Sequence, residues 1–184
     1  LWGYADLLRP EGTMSQTLLR MGNWQSQNDY ENSYARNLGI ALGDTTLFAR
    51  VGQSAAPHRR DFGTESIADN LRYLASLLPG FKAYGLRRQI FQVNFGGFDN
   101  HTKQRGTGRS SQDSLLAVVS KALEAFDSAN RDNGVDGQVL TIVGTEFGRT
   151  LRPGSGEGSE HAWGTHWMAM GSMVAGGQVH GAFP

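Results

Sequence analysis

The sequence contains no cysteine and only five prolines in 184 residues. The absence of cysteine excludes disulfide bonds, thiolate metal ligands and cysteine nucleophiles, and it leaves the redox compartment undetermined. No apolar run is long enough to cross a bilayer, so we expect no membrane span. Any metal chemistry in this chain must therefore use oxygen and nitrogen ligands.

The chain also lacks an excess of charge of either sign, because 17 basic residues balance 17 acidic ones. A neutral chain has no long-range field that attracts nucleic acid or an anionic membrane, and its basic pairs are too short to create one. We therefore expect no nucleic-acid partner. The apolar share of 39% is typical of a globular protein.

The ends of the sequence indicate an internal part of a longer protein, since it begins at Leu1 without an initiator methionine or a leader. We expect a single partial domain over residues 1–184. Residues 1–62 are weakly defined, with short helices predicted over 2–8 and 14–21 and no informative pattern over 25–37. Residues 63–184 carry a clear pattern and are expected to form the core.

Two helices are predicted in this second segment from apolar residues at three-to-four spacing. The first has Thr64 as its N-cap and ends at Pro79-Gly80. The second is capped by Ser111 and ends at Asn133-Gly134.

Three strands are predicted over residues 89–94, 138–143 and 167–174. The first two, with the helix between them, predict a right-handed βαβ unit with parallel strands and hence an α/β fold. The third strand either runs antiparallel to this pair or follows a glycine-rich excursion that folds back over its edge.

The most informative residues are Asp99 and His101, which follow the first predicted strand and a glycine turn. In open α/β sheets, the loops at the carboxyl ends of strands bind ligands. Taken singly, Asp99 is more often a turn former and His101 a surface residue. The pairing of a carboxylate and an imidazole on one turn favours a metal-ligand role.

Two charged residues follow the second predicted strand. Glu146 either joins the metal ligands or forms a structural ion pair with Arg149. Arg149 either binds a phosphate or sulfate group through its guanidinium or holds the glycine-rich excursion, and we favour the structural role.

Two further histidines precede the third predicted strand. A spacing of five does not place His161 and His166 on one helical face, and the glycine between them predicts a loop, so at least one is expected to be structural. Glu160 is an accompanying carboxylate, and Trp163 and Trp167 are expected to pack as core or lid. A mixed oxygen and nitrogen set suits zinc, manganese, magnesium or calcium. No serine lies in a Gly-x-Ser-x-Gly turn, so no nucleophile is assigned.

Three motifs together resemble the DUF1501 family: Gly96–His101, Thr145–Thr150 and Glu160–His166. Residues 176–181 also resemble it, and the resemblance extends over roughly residues 67–184, with no match in the first sixty. DUF1501 proteins are exported bacterial proteins of uncharacterised function, grouped with the alkaline phosphatase and sulfatase superfamily.

This resemblance implies an alkaline-phosphatase-like central mixed, mostly parallel sheet flanked by helices, with metals at the strand ends. Asp99 and His101 would match the aspartate and histidine of one metal site. Glu146 would correspond to the acidic residue that follows a strand in the superfamily. His161 would correspond to the superfamily's histidine that comes late in the sequence, and His166 is a further candidate ligand.

The implied function is a metal-dependent hydrolase of phosphate or sulfate esters, located in the periplasm or secreted. Two departures favour the alternative, a non-catalytic exported binding or structural protein that retains the scaffold. The upstream strand that carries the superfamily's nucleophile and first metal aspartate is not found, and Phe147 stands where many active relatives carry histidine or asparagine. A salt bridge among the candidate ligands would also count against a metal.

Overall fold

The computed structural model describes residues 12–53, 55 and 58–182 of the chain, and the helix predicted over residues 2–8 lies outside them. The chain divides into two compact units, residues 1–56 and 57–184. The described residues contain both helices and strands, which confirms a mixed α/β protein. None of the described helices combines the length and apolarity needed to cross a bilayer, as expected.

The first unit contains two helices, α1 over Thr13–Gly22 and α2 over Asp29–Gln53. Helix α1 confirms the helix predicted over residues 14–21. Helix α2 covers much of the region whose sequence pattern was uninformative. It is supported at its start by the Asn28 side chain, whose Oδ1 accepts a hydrogen bond from the Tyr30 backbone at 2.9 Å.

The second unit begins with helix α3 over Ser66–Ala83. The N-cap position is Glu65, which makes no side-chain capping hydrogen bond, so the prediction of Thr64 as N-cap was wrong. The predicted end at Pro79-Gly80 was also wrong, because the helix continues through the proline.

Helix α3 tolerates Pro79 because the carbonyl that the proline leaves unpaired has another donor. Proline has no N–H to bond the carbonyl four residues earlier, which here belongs to Ala75. The Asn133 side chain donates to that carbonyl through Nδ2 at 2.9 Å. A residue more than fifty positions away therefore replaces the missing helical hydrogen bond.

Helix α4 spans Gln112–Asp132 and confirms both predicted boundaries. The Ser111 Oγ accepts a hydrogen bond from the Ser114 backbone, and Gly134 has a φ of 63° after the C-cap. Helices α3 and α4 pack around one buried cluster, whose members are Phe62, Ile67, Ala68, Leu71, Ala75, Val119, Ala122, Ala125, Phe126 and Ala129.

Four short strands follow α4 and form two antiparallel pairs. Strand β1 (Thr141–Val143) pairs with β4 (Met168–Met170), and β2 (Gly148–Arg149) pairs with β3 (His161–Ala162). The second and third predicted strands therefore exist in shortened form. Both arrangements left open for the third strand occur, because β4 runs antiparallel to β1 and the excursion after β2 also folds back, onto the loop after Phe98.

The strand predicted over residues 89–94 is not formed. Its alternation is real, since Phe91 packs against Phe81 with ring centroids 5.4 Å apart and Val93 contacts the buried cluster, whereas Ile90 is 100% exposed. A strand also requires a paired neighbour, and no strand of the described residues pairs with this segment. The predicted parallel βαβ unit is consequently absent from the part of the chain that the structure describes.

Candidate metal centre

The candidate site is built where the loop after Phe98 meets the excursion between β2 and β3. The two segments are joined by backbone hydrogen bonds, from the Lys103 N–H to the Gly156 carbonyl at 2.8 Å and from the Ser159 N–H to the Asn100 carbonyl at 3.4 Å. These bonds bring residues more than fifty positions apart in sequence into direct contact.

Two glycines make this close approach possible. A Cβ atom at Gly158 would overlap the backbone carbonyl of His101, and one at Gly156 would lie 2.6 Å from the Thr102 methyl group. Any larger residue would force the two segments apart. The glycine-rich composition of the excursion thus serves the assembly of the site.

Arg149 holds the two segments together through hydrogen bonds to both of them. Its side chain is only 12% exposed, and Nη1 donates to the Asn100 carbonyl at 3.0 Å and also to the Ser159 carbonyl. Nη2 donates to the Asp99 Oδ1 at 2.8 Å. These contacts give Arg149 the structural role that the sequence favoured; its predicted role in binding an anionic substrate stays a prediction.

The pairing of β2 with β3 places His161 directly opposite Arg149, so that both side chains lie on one side of the ladder. The His161 Nε2 lies 2.7 Å from the Asp99 Oδ1, and the His101 Nε2 lies 2.9 Å from the same oxygen. The ligand atoms of the three residues all lie within 4.8 Å of one another. The structure therefore brings together Asp99, His101 and His161 from the predicted ligand set.

The electrostatics of the cluster centre on the Asp99 carboxylate. The hydrogen bond with His161 lowers the pKa of Asp99 below its ordinary value, and the charges of His101, His161 and Arg149 act in the same direction, against a smaller opposing effect of burial. The carboxylate is therefore held in its ionised form, which is the form that binds a cation.

Two residues outside the predicted ligand set contact the imidazoles. Glu160 Oε2 lies 2.9 Å from the His101 Nδ1. The Phe147 ring stacks on His161 with centroids 3.8 Å apart and an interplanar angle of 22°. The sequence indicated Glu160 only as an accompanying carboxylate and Phe147 only as a departure from relatives.

Glu146 and His166 are exposed and lie outside the cluster. Phe147 stacks on His161 and Arg149 also reaches the cluster, so these two residues lie on the same side of the chain. Glu146 also forms no ion pair with Arg149 among the described residues, contrary to the alternative considered from sequence.

The tryptophans near the site are not core residues. Trp163 is 83% exposed and Trp167 is 65% exposed, so of the two predicted roles, core or lid, the core was wrong and the lid stays a prediction. The Trp167 indole N–H donates to the Thr145 carbonyl at 3.3 Å, and its ring lies over Gly144.

The donor chemistry of the cluster fits a divalent metal. One carboxylate oxygen and two imidazole nitrogens are ligands that zinc and manganese accept, and the exposed position leaves room for a water or substrate oxygen. The ion pair between Arg149 and Asp99 acts in the opposite sense, because a metal must compete for the same Oδ1.

These features define a mixed α/β protein with a carboxylate and histidine cluster at the junction of two loops. A family model described as "Protein of unknown function (DUF1501)" matches residues 19–184. The chain therefore belongs to the DUF1501 family. The match begins well before residue 67, so the expectation that the first sixty residues carry no resemblance was wrong for residues 19–60.

Neither the search of curated proteins nor the search of solved structures found a match to this chain. The family assignment carries no activity with it.

Proposed function

We propose that Asp99, His101 and His161 bind a divalent metal and that the protein is a metal-dependent hydrolase of phosphate or sulfate esters. The observation that carries the proposal is the convergence of one ionised carboxylate and two imidazoles on a single point. Two nitrogen ligands favour zinc or manganese over magnesium or calcium, which prefer oxygen.

Each residue of the cluster has a distinct part in this proposal. A metal held by the three ligands supplies a Lewis acid that polarises an ester oxygen or a bound water. Arg149 fixes the Asp99 carboxylate, and Phe147 covers one face of the His161 ring. A direct contact between Arg149 and an anionic ester has weaker support, because its guanidinium already bonds two backbone carbonyls.

The motif resemblance supports the finer parts of the proposal. We include in it membership of the alkaline phosphatase and sulfatase superfamily, a mostly parallel sheet in the whole protein, and an exported bacterial location. Glu146 and His166 stay in the proposal as further ligands. Their motifs support this role, whereas both residues lie outside the cluster of Asp99, His101 and His161.

Zinc titration of the purified protein tests metal binding, with Asp99→Ala, His101→Ala and the control His180→Ala. His180 is an exposed histidine outside the cluster, so its loss removes an imidazole without touching the site. We expect the unmutated protein and the control to bind zinc and the two cluster variants to lose it. Failure of the unmutated protein to bind zinc or manganese would refute the proposal.

A second candidate function is a non-catalytic exported protein that uses this scaffold for binding or assembly. The ion pair between Arg149 and Asp99 favours it, because a cation already satisfies the carboxylate without a metal. Hydrolysis of p-nitrophenyl phosphate and p-nitrophenyl sulfate by the zinc-loaded protein distinguishes the two. Zinc binding without turnover of either ester would favour the second function.

A further inference from the structure

Both ring nitrogens of His101 lie against carboxylates of the site. Its Nε2 faces Asp99 and the point on which the ligands converge, and its Nδ1 faces the Glu160 carboxylate at 2.9 Å. An imidazole can bind a cation through one nitrogen only if the other nitrogen keeps the proton. Asp99 accepts a proton from Nε2 and Glu160 accepts one from Nδ1, so the Glu160 contact is the one that favours the tautomer with Nε2 free to bind a cation.

We propose that Glu160 is the positioning residue of the cluster, which holds the Nδ1 proton of His101 and presents Nε2 to the metal. This inference rests on the metal-binding function proposed above. Carboxylates commonly orient metal-binding histidines in this way, by accepting a hydrogen bond from the nitrogen that does not bind the metal.

The backbone of Glu160 is fixed well enough for this role. Its carbonyl accepts a hydrogen bond from the Thr150 N–H at 3.0 Å, and its own N–H donates to the Thr150 Oγ1 at 3.1 Å. The first bond extends the β2–β3 ladder by one residue, and the second adds a side-chain bond at the same pair. The carboxylate thus starts from the same rigid element that positions His161.

The role of Glu160 differs from a general effect of negative charge near a cation. Glu157 belongs to the same excursion and its side chain is exposed, without an ion pair among the described residues. Glu157→Gln removes the same charge as Glu160→Gln and keeps the side-chain length. Comparison of the two variants therefore distinguishes the loss of His101 positioning from a general loss of negative charge near the metal.

Zinc titration calorimetry of the unmutated protein, Glu160→Gln, Glu160→Ala and Glu157→Gln is the first test. Loss of such a partner weakens metal binding by about 10- to 100-fold, so we expect this loss in Glu160→Ala and a smaller one in Glu160→Gln, which keeps an acceptor oxygen. Glu157→Gln is expected to bind as the unmutated protein does. Equal affinities of all four proteins, or equal losses in the two Gln variants, would overturn the inference.

Nitrogen-15 NMR of the His101 ring without metal is the second test, and it does not depend on zinc binding. We expect a proton on Nδ1 in the unmutated protein and in Glu157→Gln, with a changed Nδ1 resonance in Glu160→Gln. An unchanged resonance in Glu160→Gln would refute the role of Glu160 even if zinc binds. Absence of zinc binding together with the expected NMR change would instead refute the metal-binding function.

Discussion

At the scale of single residues, Asp99 is the point on which the site depends. Its Oδ1 receives contacts from two imidazoles and one guanidinium. Because all three partners favour the ionised carboxylate, protonation of Asp99 weakens the contacts that hold the cluster together. The site is therefore expected to be sensitive to acid.

The lowered pKa of Asp99 predicts the sign of this sensitivity. The folded-state pKa lies below the ordinary value of 3.8, so the unfolded chain binds the proton first. The carboxylate then contributes stability above that value and loses the contribution as the pH falls through the folded pKa. We expect Asp99→Asn to flatten the decline of unfolding free energy below about pH 4, measured by urea unfolding between pH 3 and 6.

The matched control for these unfolding measurements is Glu124→Gln, which neutralises an exposed carboxylate of α4. We expect it to keep the acid decline of the unmutated protein. An acid decline in Asp99→Asn as steep as in the control would show that the Asp99 contacts do not contribute.

The sequence predicted part of the site because part of it is local. Asp99 and His101 are two residues apart, so their proximity follows from the chain itself. The contact of Glu160 with His101 depends on the pairing of two distant segments, which no local pattern specifies. The position of Glu146 outside the three-residue cluster follows from no local pattern either, because residue 146 lies at a bend before β2.

At the scale of elements, α3 shows why local rules gave the wrong boundary. A proline is expected to end a helix because it leaves a carbonyl without its partner. In this structure the Asn133 side chain supplies the partner for the Ala75 carbonyl, and the helix continues to Ala83. The compensating residue lies at the end of α4, outside any window used to assign α3.

A double-mutant cycle tests this compensation. Asn133→Ala is expected to cost about 1–3 kcal/mol of unfolding free energy, because it leaves the Ala75 carbonyl unsatisfied. In the Pro79→Ala background, residue 79 regains an N–H that can bond this carbonyl, so the same change should cost about 1 kcal/mol less. Urea unfolding of the four proteins measures the difference.

The cycle also corrects for the other contact of Asn133, its approach to the His58 Nε2 at 3.0 Å. That contact is lost equally in both backgrounds and cancels. Equal costs of Asn133→Ala in the two backgrounds would mean that the helix does not depend on this hydrogen bond.

The strand predicted over residues 89–94 is not formed, and the reason differs from that for α3. Their alternation correctly separated Val93, which packs on the core, from the exposed Ile90. Alternation specifies which side of an extended segment is buried, but a strand also needs a neighbour at hydrogen-bonding distance. The helices were predicted more successfully because their backbone hydrogen bonds are internal to each segment.

At the scale of the whole molecule, the buried cluster of the second unit lies entirely between Phe62 and Ala129. All of the site residues also belong to that unit. The second unit thus contains both a core of its own and all three proposed metal ligands. The described residues of the first unit bury far fewer apolar side chains, among them Ala35 and Val51.

We therefore expect a fragment of residues 57–184 to unfold cooperatively and to keep the zinc affinity of the whole chain. Phe126→Ala in this fragment should cost about 3–5 kcal/mol, because it leaves a cavity between α3 and α4. Thermal unfolding followed by circular dichroism, together with zinc titration, measures both. A fragment without a cooperative transition would show that its core depends on the first unit.

The close contact at Gly158 also sets where this chain can change length during evolution. Residues 156–160 lie against the His101 loop through backbone atoms, so an inserted residue there would shift His161 relative to Asp99. Residues 151–153 are exposed, with Leu151 86% exposed, and they lie before this contact. Exposed loop tips tolerate insertions. Family members should accordingly vary in length at this tip and keep a constant spacing from Gly156 to His161.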